Sequence, residues 1–339
     1  LVSADAPIDT PLGLPARVDA LEDALQVTTV TGATLQAYIN ANKYIRLPND
    51  TITISTTITI PSYRTIEGSG RTVIMTTGNG FFINNDTGVV IKNIVFVGDY
   101  STPDITSSTP IADTTNIHDM TSKGGDYGLK ILGDSYNIIL ENLEFYNFSG
   151  EGLHCAADQA GGYIYAGSVQ ANNLFASNCY LGFYLHNASE YNNFVNVKSH
   201  NCLIGLRIHG GNNYLSNINM SGNRVGLYLG DGNNNSHGSI SNSAFNHNEL
   251  YGIVSQDIDY GFYFTGCENF DGHIFLIRSI GFSWVGGYTS GSIIYTGGNS
   301  NLFHSVIFGA DATDDTQAAI LDMKNNLFLG GGSATGINN

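Results

Sequence analysis

Residues 201–235 read NCLIGLRIHGGNNYLSNINMSGNRVGLYLGDGNNN and state one phrase twice: an Asn, then Gly-Leu within an apolar strand, then Gly and a run of Asn. A phrase returning at a period of roughly 20 to 50 residues marks a solenoid, in which each unit covers the hydrophobic face of the next. Asn pairs at 172–173, 192–193 and 212–213, with another Asn run from 233, give steps of 20, 20 and 21 residues. Gly followed by an apolar residue stands at Gly128, Gly152, Gly182, Gly205, Gly226 and Gly252, at steps of 24, 30, 23, 21 and 26. Asn178, Asn201, Asn223 and Asn248 each lie just ahead of one of these glycines. Three strands of about seven residues, with their turns, fill one coil of this length, and coils of parallel strands stack about 4.8 Å apart. Stacking aligns like residues, so Asn178 is expected over Asn201, Cys179 over Cys202 and Gly182 over Gly205. Gly in the repeated phrase is expected to supply a positive φ at a bend.

Composition agrees with an all-β chain. The 339 residues include 41 Gly and 7 Pro, and only 12% are charged. Asn, Gly, Ser, Thr, Ile and aromatics dominate, which suits strands separated by tight turns. A net charge of −16, with 13 Lys and Arg in all, argues against nucleic acid, whose phosphates need a cationic surface. It also sets a neutral or weakly charged partner above a polyanion. No apolar run approaches the about 20 residues that a membrane helix requires, so no membrane insertion is expected. Cys155, Cys179, Cys202 and Cys267 show no metal-binding spacing and read as buried, unpaired thiols. No phosphate-binding glycine loop, nucleophile elbow or dedicated calcium loop is present. Neither cofactor nor metal is therefore assigned.

Residues 1–30 form a separate linker. Leu14, Val18, Leu21 and Leu25 follow a two-heptad seam, a weak sign of oligomerisation set against a lone surface helix. The chain opens at Leu1 without Met or signal peptide, which reads as a processing boundary. Residues 31–339 form the solenoid, with an inserted polar loop at about 98–128 and a turn insertion after His154. In residues 31–74 a short helix around Leu35 and Ile39 leads into YIRLP, then the alternating TITISTTITI, then RTIEGSGRTVI. This opening resembles that of pectate-lyase-like right-handed parallel β-helices, where a helix caps the first coil. The fold expected is therefore that of a right-handed parallel β-helix. After residue 260 the stack is expected to continue with faces rich in Phe and Tyr.

Ligands of a solenoid lie along a groove between protruding turns, and an extended polymer such as a polysaccharide fits such a groove. Phasing the repeats places Asp126, Glu151, Tyr180 with Leu181, and Arg207 with His209 at one strand edge. That order resembles the polygalacturonase family, whose Asn-Thr-Asp, Gly-Asp-Asp, Gly-His-Gly and Arg-Ile-Lys motifs follow one another on successive coils. The resemblance matches Asp126, Glu151 and Arg207 to the first, second and fourth motifs. Gly152 replaces the second Asp of the second motif, Leu181-Gly182 lacks the His of the third, and His209 stands where Lys is expected. Galacturonan hydrolysis itself is thereby disfavoured, and the layout remains as acid, base and substrate clamp. Asp126, Glu151, Arg207 and His209 are the catalytic candidates. Carboxylates one coil apart would lie about 5 Å from each other, and one of them would be held protonated. His154, Asp158, Tyr184, Asp231, Asp257 and Asp259 are candidate substrate contacts, with aromatics beside acids suiting sugar stacking. Solvated turn carboxylates, an inter-coil ion pair for Arg207 and turn-capping histidines are the competing structural readings.

From residue 30 onward the chain resembles a bacteriophage tailspike: helix cap, pectate-lyase-like stack, Asn ladders, few charges and a short heptad segment ahead. The resemblance implies a homotrimer in the virion tail, extracellular, that binds and cuts a bacterial surface polysaccharide, capsule or O-antigen, by glycoside hydrolysis. A non-catalytic adhesin or virion appendage and a polysaccharide lyase are the alternatives. The ending GGGSATGINN carries no evident trimerising segment, so removal of one is expected.

Overall fold

Hydrogen bonds between successive coils determine the architecture. The computed structural model describes residues 30–101, 125–156, 166–186, 189–230, 236–258, 261–290, 293–295, 298–299, 301–304, 307–308 and 327–329. The predicted heptad seam, most of the predicted loop at 98–128, and Asp158, Asp231 and Asp259 lie outside them. The expected parallel β-helix is observed, with every strand pairing parallel. A 15-stranded sheet runs from Tyr44–Leu47 to Leu327–Leu329, and a 10-stranded sheet from Ile58–Thr59 to Ile293–Tyr295. The stack opens on helix α1, Gly32–Ala41. Its first turn is closed by the Thr31 N–H donating to Thr34 Oγ1 at 3.0 Å, and it buries Leu35 and Ile39 over the first coil.

Alternation along each strand builds the core. On the second sheet Phe81, Leu129, Leu153, Phe183, Leu206, Leu227 and Ile253 form one inward row through the register. Ile83, Ile131, Cys155, Leu185, Ile208 and Leu229 form the other. Opposite them, Phe96 stacks on Phe145 with ring centres 5.3 Å apart. The C-terminal coils are filled by Phe262, Phe264, Phe282, Trp284 and Phe303, as the aromatic pattern after residue 260 leads one to expect.

The bends are made by asparagine. Asn93, Asn142, Asn173, Asn196, Asn217 and Asn242 stand in register along the first sheet with φ between 50° and 59°, and Gly266 and Gly286 continue the column. Left-handed backbone costs most residues roughly 1–2 kcal/mol, and Asn tolerates it best after Gly. Asn also bonds to the next coil: Asn142 Nδ2 donates to Asn93 Oδ1, and Asn173 Nδ2 to Asn142 Oδ1, both at 2.9 Å. A second column joins Asn147, Asn178 and Asn201, with Asn178 Nδ2 donating to Asn147 Oδ1 at 3.2 Å and Asn201 Nδ2 to Asn178 Oδ1 at 2.5 Å. Asn201 thus lies over Asn178, and Cys202 over Cys179, as expected.

Three sequence expectations change. Asn172 stands beside Val195 rather than Asn192, and the Asn192 amide donates instead to Asn213 at 2.8 Å. The Asn pairs had matched because Asn occupies several distinct bends, while successive coils differ in length. Asn223 continues the cysteine column, its Oδ1 accepting the Cys202 N–H at 3.1 Å, and the left-handed column passes from Asn201 to Gly222. The positive φ falls on Gly222 and Gly230 of residues 201–235, at 68° and 86°, and not on the glycines of the Gly-apolar pairs, Gly128, Gly152, Gly182, Gly205, Gly226 and Gly252. They face the neighbouring coil so closely that a Cβ on Gly182 would lie 2.5 Å from the Gly205 carbonyl oxygen, and one on Gly226 2.7 Å from that of Gly252.

Two outcomes follow from this packing. Gly205→Ala drives a methyl into the Gly226 carbonyl and the Asn223 amide and lowers unfolding free energy by about 1–3 kcal/mol, whereas Asn178→Gly keeps the left-handed backbone and loses about 1 kcal/mol of side-chain bonding. Urea unfolding of the two variants checks the order. All four thiols are buried, and burial pushes Cys155 and Cys179 far up and Cys267 up to about 11. An unfolded thiol ionises near its ordinary value of 9.0, so the stabilisation from Cys267 is complete below that pH and is lost as pH rises towards 11. Native protein at about pH 8 therefore resists iodoacetamide, and the same thiols react once it is denatured.

Candidate functional site

The outward side of the second sheet carries the densest cluster of titratable and aromatic side chains in the described residues. Between its two inward rows, strand alternation turns one residue per coil outward: Phe82, Lys130, His154, Tyr184, Arg207, Tyr228, Val254 and Phe275. Two residues further along, the strands' ends turn His186, His209, Gly230 and Gln256 outward in a parallel row. Three residues before His154, Glu151 leads a third row with Leu181 and Ile204.

Coil spacing and the two-residue repeat along each strand fix the contacts between these rings. His154 and Tyr184 stack with centres 4.9 Å apart at 29°, and Tyr184 and His186 at 4.7 Å and 27°. His186 and His209 lie 5.7 Å apart. His154 Nε2 is 3.4 Å from His186 Nδ1, and its Nδ1 is 3.7 Å from Glu151 Oε2. Arg207, only 1% exposed, is sandwiched between two rings, its Cζ 4.8 Å from the Tyr184 centre and 5.3 Å from that of Tyr228. The Tyr228 hydroxyl donates to Gln256 Oε1 at 2.8 Å. Glu151, His186 and Lys130 are half-buried and form the open margin of the cluster.

The register brings Tyr127, not Asp126, beside Glu151. Gly128 donates its N–H to the Glu151 carbonyl and Gly150 donates to that of Asp126, both at 3.0 Å, so the two carboxylates are offset by one residue along neighbouring coils. Burial pushes the Tyr127 phenol above its ordinary value, a hydrogen bond with Thr57 draws it back, and the Glu151 carboxylate pushes it up further. Lys130 lies over the Tyr127 ring, 5.6 Å from its centre. The predicted common edge is thus divided: Glu151 and Leu181 share one row, Arg207 aligns with Tyr184 and His154, and His209 with His186. Asp257, expected to meet sugar, is held instead by Arg278, Nε at 2.5 Å and Nη2 at 2.6 Å, and accepts from the adjoining Gln256 at 3.3 Å.

Sequence phasing passed over Lys130, His186, Tyr228 and Gln256. The signal for His186 was present: it precedes His209 by 23 residues, the same step that separates Asn178 from Asn201. The step from Gly182 to Gly205 is also 23 residues, so either column carries the signal. Among the described residues no group of three or more His, Cys, Asp and Glu side chains is placed to hold a metal ion, and no helix is long and apolar enough to cross a membrane.

No protein-family model matches the chain, and no curated protein matches it. Solved structures do. Geobacillus virus E2 ORF18 superposes with a TM-score of 0.58 at 15% identity over 84% of this chain and 61% of that one. A tailspike protein of E. coli bacteriophage HK620 in complex with a pentasaccharide gives 0.55 at 10% identity, covering 86% and 68%. The alginate lyase of Paenibacillus sp. str. FPU-7 gives 0.52 at 14%, covering 91% and 99%. At such identities the likeness establishes the fold, a parallel β-helix that phage proteins and a polysaccharide enzyme share.

Arg207 is a structural centre of the cluster as well as a candidate clamp. Arg207→Ala removes both cation–π contacts and leaves a void, and is expected to cost about 2–5 kcal/mol of stability. Arg207→Lys, lacking the planar stacking surface, restores less than half of it. Thermal unfolding of the pair measures the difference.

Proposed function

We propose that this chain is a phage tailspike that binds a bacterial surface polysaccharide along the second sheet and depolymerises it, with His154 and Glu151 as its acid–base pair. The observation that carries the reading is the cluster of Glu151, His154, Tyr184 and His186 on the outward side of the second sheet, where Glu151 and His186 are half-buried over the buried His154 and Tyr184. The folds of a tailspike in complex with a pentasaccharide and of an alginate lyase support it. Homotrimeric assembly and placement in the virion tail, extracellular, belong to the same reading.

The geometry favours elimination over hydrolysis. A glycosidase places two carboxylates about 5 to 9.5 Å apart across the bond it cuts, and the expected pair is out of register here. Glu151 Oε2 faces His154 Nδ1 at 3.7 Å, and Nε2 lies on the other side of the ring, 3.4 Å from His186 Nδ1. In an eliminating cut His154 Nε2 takes the proton next to a uronate carboxylate, and the electron pair forms the ring double bond. The C–O bond to the departing sugar breaks, and that oxygen takes a proton from Tyr184 or His186. Lys130, which adjoins His154 on the next coil, neutralises the carboxylate, while Arg207 and His209 hold the rings in place. The uronate carries a charge that the overall −16 repels, so the local cations must do the recruiting. Hydrolysis by Glu151 with Asp126 is the second reading, supported by their positions on adjoining coils.

Purified capsular and O-antigen polysaccharides, uronate-containing and neutral, distinguish these outcomes. Elimination yields shortened chains with an ultraviolet-absorbing unsaturated end, and hydrolysis yields shortened chains without one. His154→Ala is expected to lower the cleavage rate by about 10²- to 10⁴-fold with binding retained, and Glu151→Gln by less. Glycan bound and recovered intact would leave the adhesin reading in its place.

A further inference from the structure

A second groove lies on the first sheet, on the other side of the coil from the histidine cluster. Its floor is the left-handed column, and its character changes along the stack. In the early coils the asparagine amides bond to one another, as at Asn93, Asn142 and Asn173. At Asn217 and Asn242 the φ angles persist, at 53° and 50°, yet no side-chain hydrogen bond joins these exposed amides to the protein. The column then loses its side chains altogether. Around Gly266 only Asn242 Oδ1, at 3.2 Å, comes near the place of a Cβ, and around Gly286 nothing lies within 4 Å.

The result is a cleft of about 510 Å³ lined by Asn217, Asn219, Asn242, Glu268 and Tyr288, within the roughly 300–1,000 Å³ of ligand clefts. Beside it Phe270, 40% exposed, stacks on Tyr288 with ring centres 6.2 Å apart at 23°. Glu268, which lines the cleft, is oriented by Asn246, whose Nδ2 donates to Oε1 at 2.6 Å. A further cleft of about 360 Å³ lies along the same column in the preceding coils and includes Asn172 and Asn196. Two clefts in line along the stack suit an extended occupant.

We infer that this groove is a non-catalytic binding site for a neutral oligosaccharide. Amides that both donate and accept, a carboxylate that accepts, and a flat aromatic pair match hydroxyls and the apolar face of a sugar ring. A protein partner would instead seek a desolvated apolar centre depleted of charge, which Glu268 and the open amides do not offer. The inference rests on the reading of the chain as polysaccharide-binding. A polymer cut at the second sheet and held at the first would stay on the protein between cuts.

The test uses the full chain against an array of defined neutral and uronate-containing bacterial oligosaccharides, followed by calorimetry with the best neutral binder. Tyr288→Ala and the double variant Asn217→Gly with Asn242→Gly, which preserves the backbone conformation, should each weaken that binding by about tenfold. Both should leave the cutting rate on short chains unchanged, while His154→Ala does the reverse. Unchanged neutral binding in the groove variants, with cutting intact, overturns this site and leaves the proposed activity standing. Absence of any bound glycan on the wild-type protein overturns both. A groove variant that alters the sedimentation of the protein without altering glycan binding shows that the face joins copies of the chain, which also overturns the site.

Discussion

The hydrogen bonds that run from each coil to the next set everything else in this molecule. A strand here has no partner in its own coil; it is satisfied only by the coil before and the coil after. That requirement holds consecutive coils in one register along the rows traced above, and the bends must repeat in place. Asn meets the need twice over, because it accepts left-handed backbone and can bond to its counterpart in the adjoining coil. The glycines meet a different need: they let the backbone of the next coil come close where a methyl would not fit.

Function inherits its geometry from that register. Outward side chains on the second sheet stand between two inward rows of Leu, Ile and Phe, so their strands cannot slip without exposing the core. The separations between rings on adjoining coils, 4.9 Å for His154 and Tyr184 and 5.7 Å for His186 and His209, follow the coil spacing, and Tyr184 meets His186 within one coil. A buried guanidinium between two tyrosines then fixes the middle of the ladder. Glu151, Lys130 and His186 sit at its half-buried edge, with His154 buried beneath them.

The repeat, the all-β class, the helix cap, the buried thiols and the Asn178–Asn201 stack could be read from the letters because each depends on period alone. The chemistry depends on register to a single residue, and there the letters misled. Aligning on the Gly-Leu phrases sets Tyr127 opposite Glu151, as the register does, and the pairing of Asp126 with Glu151 comes instead from matching acid to acid across a one-residue offset. Aligning on Asn pairs joined Asn172 to Asn192, two residues at different bends. Coils here differ in length, with extra residues expelled at turns, so a match between letters does not guarantee a match in space. Tyr184 and His154 were chosen for their residue type, and the stack between them is visible only once the intervening 30-residue step is assigned.

The column that changes from asparagine to glycine at Gly266 has an implication for how such a chain can vary. Since each coil consults only its immediate neighbours, whole coils can be gained or lost in descent while the remainder keeps its alignment, and a run of bends can drift in chemistry without disturbing the ladder on the second sheet. One flank of the rod can thus be held constant while the other is rewritten coil by coil.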